Sequence, residues 1–315
     1  MEGRSVSSVR IRLITLAAAA WLAAGLQAQT LEDGLMIRKG SLFAGNIYSH
    51  DRWDHYWQGT LKRVNGNLGT VTTQTNTFSG NFGLTDRLNV IGMIPIVWTN
   101  ASQGVLRGMR GVQDLTLGAK YSLINAKTRV GAVRIIGVVA GAFPVTDYES
   151  DFLPLSIGNH SKRVAARATV NLQANNGLYV NGSSSYTWRS DVTLDRPYYY
   201  TDGQLHLTNI VDMPGVFDYV LSAGYVKRGV LATASFAQQR TQGGGDIRRQ
   251  DMPFISHRMN FNKLGAMAMV PIPKLRNLAF QFGYNYILEG RNVGQGTTLT
   301  TALMYTLTFE RSPRQ

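Results

Sequence analysis

From Ser41 to Phe309 apolar and polar residues alternate with a period of two, run after run, and no stretch after residue 28 approaches 18 consecutive apolar residues. Successive side chains of a strand point to opposite faces, so each run describes a sheet with different surroundings on its two sides. A helix that crosses a membrane needs about 20 apolar residues in a row, so any meeting with lipid must be through strands. The clearest run is Leu278 to Leu288. There Leu278, Phe280, Phe282, Tyr284, Tyr286 and Leu288 share one face, and Ala279, Gln281, Gly283 and Asn285 the other. Leu115, Leu117, Ala119, Tyr121 and Leu123 stand in the same way against Asp114, Thr116, Gly118, Lys120 and Ser122. Ala166, Ala168, Val170 and Leu172 stand against Arg167, Thr169, Asn171 and Gln173.

A soluble sandwich also alternates, and loop lengths separate the two architectures. Strands are expected near 41–58, 70–84, 88–101, 113–125, 129–145, 164–175, 178–190, 216–227, 230–241, 257–271, 277–289 and 297–309. Short turns at Thr85-Asp86-Arg87, Ala126-Lys127-Thr128, Asn176-Gly177, Arg228-Gly229 and around Pro273 to Arg276 interleave with longer segments such as Thr146 to Arg163, Ser190 to Gly215 and Thr241 to Ser256. Twelve is even, and short connections on one side with long ones on the other are the habit of outer-membrane barrels. The predicted fold is all-β: a transmembrane antiparallel up-and-down barrel of about 12 strands, filling residues 29–315 as one domain.

The two ends agree. Arg4, Arg10 and Arg12 precede an apolar run from Leu13 to Leu26 and a small residue at Ala28, the order of a secretory leader; its 14 residues are too few for a spanning anchor. Residues 1–28 are therefore read as a cleaved signal peptide. At the other end Leu299, Thr301, Leu303, Tyr305, Leu307 and Phe309 alternate up to a terminal aromatic. Such a last strand is the one barrel-assembly machinery recognises, although six residues follow Phe309 here. About a dozen residues separate the leader from Ser41, too few to fold into a plug domain, and whether they form a short plug-like peptide is open. The chain has no cysteine, so ladder and core alone must hold an exported protein together.

The formal charge of +13 suggests nucleic acid first. The basic residues are dispersed and the chain is exported, so contact with anionic lipid and lipopolysaccharide headgroups, a field around a pore, or simply a basic surface fits better. No nucleic-acid partner is expected.

The segments Phe82-Gly83-Leu84-Thr85-Asp86-Arg87-Leu88-Asn89-Val90, Ile94-Pro95-Ile96-Val97 and Gly111-Val112-Gln113-Asp114-Leu115-Thr116-Leu117-Gly118-Ala119-Lys120-Tyr121 resemble the outer-membrane family named for the meta-pathway of phenol degradation. The resemblance covers about 40 residues, and Val112-Gln113 departs from the small residue and glycine usual there. It implies a barrel in the bacterial outer membrane that passes small, often aromatic, compounds. The motif is chiefly structural: Asp86 can close a turn onto its own backbone, and Asp114, where a long loop becomes a strand, reads as a loop anchor before a solute contact.

Twelve strands lie between the eight that side chains fill and the sixteen or more that enclose a wide channel, so the lumen should be narrow. Selectivity then falls to inward-facing side chains, and the alternation nominates Lys120, Arg134, Arg167, Asn171, Gln281 and Asn285. Lys120 and Arg134 flank their turn symmetrically, so a simple hairpin would oppose two positive charges. A carboxylate from elsewhere, a register shift or a bound anion must relieve them. Asp114 lies about 20 Å from Lys120 along the strand and cannot.

Tyr198-Tyr199-Tyr200 reads as a cluster that holds the longest loop in shape, with stacking of an aromatic or sugar as the functional alternative. Trp53, Tyr56, Trp57, Trp98 and Trp188 read as an interfacial girdle. Catalysis is the rival class, since barrel lipid hydrolases exist, but His50, His55, His160, His206 and His257 form no recognisable relay, and His50 and His55 with Asp51 and Asp54 match no metal spacing. No cofactor fingerprint appears. The expectation is a non-enzymatic passive channel for small solutes, against a structural or adhesive barrel with a blocked lumen.

Overall fold

The computed structural model describes residues 30–248, 253–275 and 277–309; the leader assigned to residues 1–28, Arg276 and the tail beyond Phe309 lie outside the described residues. Twelve long strands build the wall: β1 Ser41–Trp53, β2 Val71–Gly83, β3 Leu88–Ala101, β4 Asp114–Lys127, β5 Gly131–Pro144, β6 Arg163–Ala174, β7 Leu178–Arg189, β8 Val216–Lys227, β9 Val230–Thr241, β10 Asn260–Pro271, β11 Leu278–Arg291 and β12 Thr297–Thr308. Each pairs antiparallel with its neighbours in sequence, and β12 returns to β1 with Ser41 opposite Thr308 and Arg52 opposite Thr297. The ring closes. No edge remains for water or another chain to satisfy, which is the condition for strands in hydrocarbon.

Alternation becomes sidedness. Leu117, Val139, Val170, Leu221, Leu264, Phe282 and Leu303 point outward and expose 44–59% or thereabouts of their surface, while their strand neighbours Lys120, Ile136, Thr169, Ser222, Met269, Gly283 and Ala302 face inward and are buried. Turns at one rim are tight. Arg228 and Gly229 both have positive φ, 53° and 81°, and join β8 to β9 in two residues. Their twist matches that of the strands they connect. The long connections gather at the other rim and carry short hairpins, His55–Gln58 with Leu61–Val64, Val192–Thr193 with Ile210–Val211, and Tyr199–Thr201 with Gln204–His206.

Three expectations shift. The run predicted as 41–58 breaks after Trp53, and the rest forms the first of those hairpins. The strand predicted from 113 to 125 runs on to Lys127, which moves its turn to residues 128–130. The simple hairpin register of β4 and β5 does not form: Lys120 stands opposite Val138 and Arg134 opposite Asn125, with a bulge between Ser122 and Ile124. Like charges are kept apart by that slip.

Candidate functional site: an occupied lumen

Residues 30–40 leave the wall at the short-turn rim and run up inside the barrel. Gly40 N–H is anchored on the Gly83 carbonyl, and the Asn89 amide, with its oxygen on the Ile37 N–H (2.7 Å) and its nitrogen toward the Ile37 carbonyl (3.2 Å), grips the next stretch. Higher in the lumen Lys120, fully buried, donates from Nζ to Asp33 Oδ1 at 2.8 Å and to the Thr30 carbonyl at 3.0 Å. Arg167 reaches Glu32 at 3.7 Å, and Asn181 donates to the Glu32 carbonyl at 3.3 Å. Between these grips Gly34 passes so close to the wall that a Cβ there would lie 2.3 Å from the Asn171 Cβ. Only glycine fits that crossing.

The segment is two-sided because the lumen is. On one side stand Phe43, Val226, Leu231, Met269, Ala279, Ala302 and Met304, from β1 and β8 to β12; they cluster with Leu35 and Ile37 of the segment. On the other stand the polar side chains Lys120, Ser122, Thr169, Asn171, Asn181 and Ser183, from β4, β6 and β7, with Ile136 and Val138 of β5 between them. Leu35 and Ile37 turn to the apolar wall, Leu31 packs on Gly118 of β4, and the carboxylates of Glu32 and Asp33 face the polar side.

Of the lumen residues nominated from sequence, four lie on adjacent strands and three of these are linked through the segment. Lys120 holds Asp33, Arg167 faces Glu32 and donates to Ser183 at 2.9 Å, and Asn171 lies against Gly34. Arg134 donates to Asn171 at 3.2 Å and Gln173 at 2.8 Å. Gln281 and Asn285 face inward from β11, across the lumen and apart from this group. Sequence reasoning missed Asp33, Leu35 and Ile37. Their signal was small, an acidic residue and two alternating apolar ones in a stretch too short for a plug domain but open to a short plug-like peptide.

Asp114 is 3% exposed and takes bonds of 2.6 Å each from the Tyr148 hydroxyl and the Arg163 guanidinium. This ties the loop 145–162 to the barrel mouth. Burial, and the adjacent Asp114 carboxylate, push the Tyr148 hydroxyl above its ordinary value, so it stays a donor. Val192, Leu194, Tyr199, Val211, Met213, Phe254 and Ile255 build a second apolar cluster among the long loops, in which Tyr199 stacks on His206 and Phe254. Tyr198 and Tyr200 are exposed. Trp98 and Trp188 sit outward on the wall as a girdle requires, but Trp57 is buried against Gly290, and Trp53 packs on Gly294 and lies beside the Tyr56 ring. His50 points outward and Asp51 inward onto Thr298, so these two do not join Asp54 and His55; no group of three metal-ligating side chains occurs among the described residues.

Among solved structures the fold is similar to the COG4313 outer membrane channel from Pseudomonas putida F1, with a TM-score of 0.70 and 16% identity over 89% of this chain and 100% of that one. The CymD monoaromatic hydrocarbon channel and the translocator domain of the autotransporter NalP from Neisseria meningitidis are also matched, at TM-scores of 0.43 and 0.45, with 11% and 10% identity over 92% and 96% of this chain and 97% and 98% of theirs. No protein-family model matches the sequence, and no curated protein is similar to it. The chain has the fold of a bacterial outer-membrane β-barrel.

Proposed function

We propose that the protein is a passive outer-membrane channel for small amphipathic solutes, of which aromatic compounds are the leading class. The observation that carries this is the divided lumen. A solute with one apolar face and one polar edge meets Met269, Leu231 and Phe43 on one side and Asn171, Asn181 and Ser183 on the other. Neither a sugar nor an alkane uses both walls. The segment 30–40 already occupies the position such a solute would take. Beyond its backbone anchor at Gly40 it is held by wall side chains and belongs to no ladder of the wall, so it can yield to a competitor of the same character. The likeness to a channel fold and the resemblance of residues 82–121 to the phenol-pathway family point the same way.

A blocked, structural barrel is the second reading, favoured by that same segment. Catalysis has less support. A hydroxyl–imidazole contact among the described loop residues, Thr201 Oγ1 to His257 Nε2 at 3.1 Å, has the imidazole protonated on the wrong nitrogen for a base: the Phe254 N–H donates to Nδ1, so Nε2 carries the hydrogen. Purified protein in planar bilayers separates the first two readings. Resolved single-channel steps, together with faster uptake of phenol than of a sugar of equal size into proteoliposomes, are expected. Silence in every salt, or equal rates for the two solutes, would overturn the channel reading.

A further inference from the structure

The outer wall is apolar nearly everywhere at mid-height, but not on β1 and β2. Asn46, Tyr48, Gln74 and Asn76 all point outward there, as the cross-strand partners Leu303 and Phe78 of Asn46 and Trp98 of Gln74 do. Trp98 lies opposite Gln74 and marks the upper interface, and Leu42 and Phe82 lie near the lower rim, which puts Asn46 midway and Asn76 and Tyr48 one step above it. The Tyr48 hydroxyl donates to the Gln74 amide oxygen at 3.0 Å. The Asn76 side-chain oxygen is covered by its own chain without a hydrogen-bond partner, which leaves the amide nitrogen as its outward end. Acyl chains offer such groups nothing.

The row below has the opposite oddity. Ala44, Gly80 and Gly92 are cross-strand neighbours, all outward, so three adjacent strands carry nothing larger than a methyl. A Cβ at Gly80 would meet only Leu42, at 3.8 Å, and one at Gly92 only Leu117, at 3.5 Å, so the space beyond is open. Small residues that let backbones approach, beside polar residues that bond across, are how membrane segments pack on each other. The outward alanines of β9 and β10, Ala232, Ala234, Ala266 and Ala268, have no amide beside them and suit lipid.

We propose that the β1–β3 face is a contact between two copies of this chain, related by a twofold axis along the membrane normal. Self-association follows from the chemistry of the patch. An amide carries donor and acceptor together, so a cluster of Asn46, Gln74 and Asn76 is complementary to its own image, as an isologous interface requires. The flat row of Ala44, Gly80 and Gly92 lets the two walls close until those amides meet.

The chain has no cysteine, so a single one reports proximity without background. Ala44→Cys and, as control, Leu221→Cys on β8 at the far side of the ring are treated in native outer membranes with a short bis-maleimide, and the heat-dependent gel mobility of a folded barrel verifies folding. A product of twice the monomer mass from Ala44→Cys, at least tenfold above that from Leu221→Cys, is expected. Adding Asn46→Leu and Asn76→Leu, changes that only make the wall more lipid-like, should cut it at least fivefold. Equal yields at the two positions, a yield insensitive to the leucine changes, or an adduct with a partner of different mass would overturn the proposal.

Discussion

Lys120 is a lysine in a place where lysines rarely sit, wholly out of water, and it stays there because Asp33 and the Thr30 carbonyl answer its ammonium. Removing one member of a buried pair strands the other, at a cost of about 3–5 kcal/mol when both are dry. Asp33 is a quarter exposed, so Lys120→Met should cost less, about 2 kcal/mol, and the loss should fall on the segment more than on the wall. In bilayers the variant is expected to show larger and noisier steps than the parent, and Asp33→Leu added to it should return part of the thermal stability. Gly34→Val tests the same region by volume alone. Its side chain has no room beside Asn171, so the segment must leave the lumen; cleavage by added protease between residues 30 and 40, in protein whose barrel is intact, is the readout. An uncleaved segment with unchanged conductance would refute the account given of both residues.

At the scale of elements, the strands were readable because a wall between lipid and lumen imposes a period of two with few exceptions, and every predicted strand has its counterpart. Boundaries failed where something non-local intervened. The run after Trp53 kept its alternation but turned back on itself as a hairpin beneath Val293, and the bulge after Ser122 depends on how β5 pairs, which no local pattern encodes. Loops were legible as lengths and as single anchors, Asp114 and Tyr199 among them, but not in their paths. Asp114 illustrates what links them to the wall. Replacing it by alanine leaves Arg163 and Tyr148 without their shared acceptor, and about 2–3 kcal/mol of local stability should go with it. The loop 145–162 is then expected to be nicked at low protease concentrations that leave the parent intact.

The loop 242–259 is tied down by Asp246, which takes two bonds from Arg291 and one from Asn292. These hold its carboxyl at about 2, against an ordinary 3.8. A depressed carboxyl stabilises the folded loop fully above about pH 5 and loses that contribution as the pH falls from about 4 to 2. The group is over a third exposed, so the effect is about 1 kcal/mol after screening. Pepsin should therefore cut this loop faster at pH 2 than at pH 4 relative to a reporter peptide, and Asp246→Asn should flatten the difference.

For the molecule as a whole, stability rests on closure more than on any core. β12 carries ladders to both β1 and β11, and just past its end the ring of Phe309 packs edge-on against Phe82 at 6.2 Å. Phe309→Ala should leave the finished barrel nearly as stable, while slowing its appearance in the outer membrane, read as pulse-labelled protein that gains heat-dependent mobility. An unchanged rate would remove the terminal strand's proposed role in assembly. What alternation could not reveal is the division of the interior. Period two says which residues face inward and is silent on which strands sit across from each other, so the separation of Met269 and Lys120 onto opposite walls emerged only with the ring.

The threading of residues 30–40 up the bore also bears on how the protein can be handled. The first described residue, Thr30, lies deep inside beside Lys120, so whatever is fused ahead of it must share the passage or drag the strap out. A purification handle placed there would change the property to be measured. One inserted at the exposed tip near Val105 would hang in solution and leave the bore as it is.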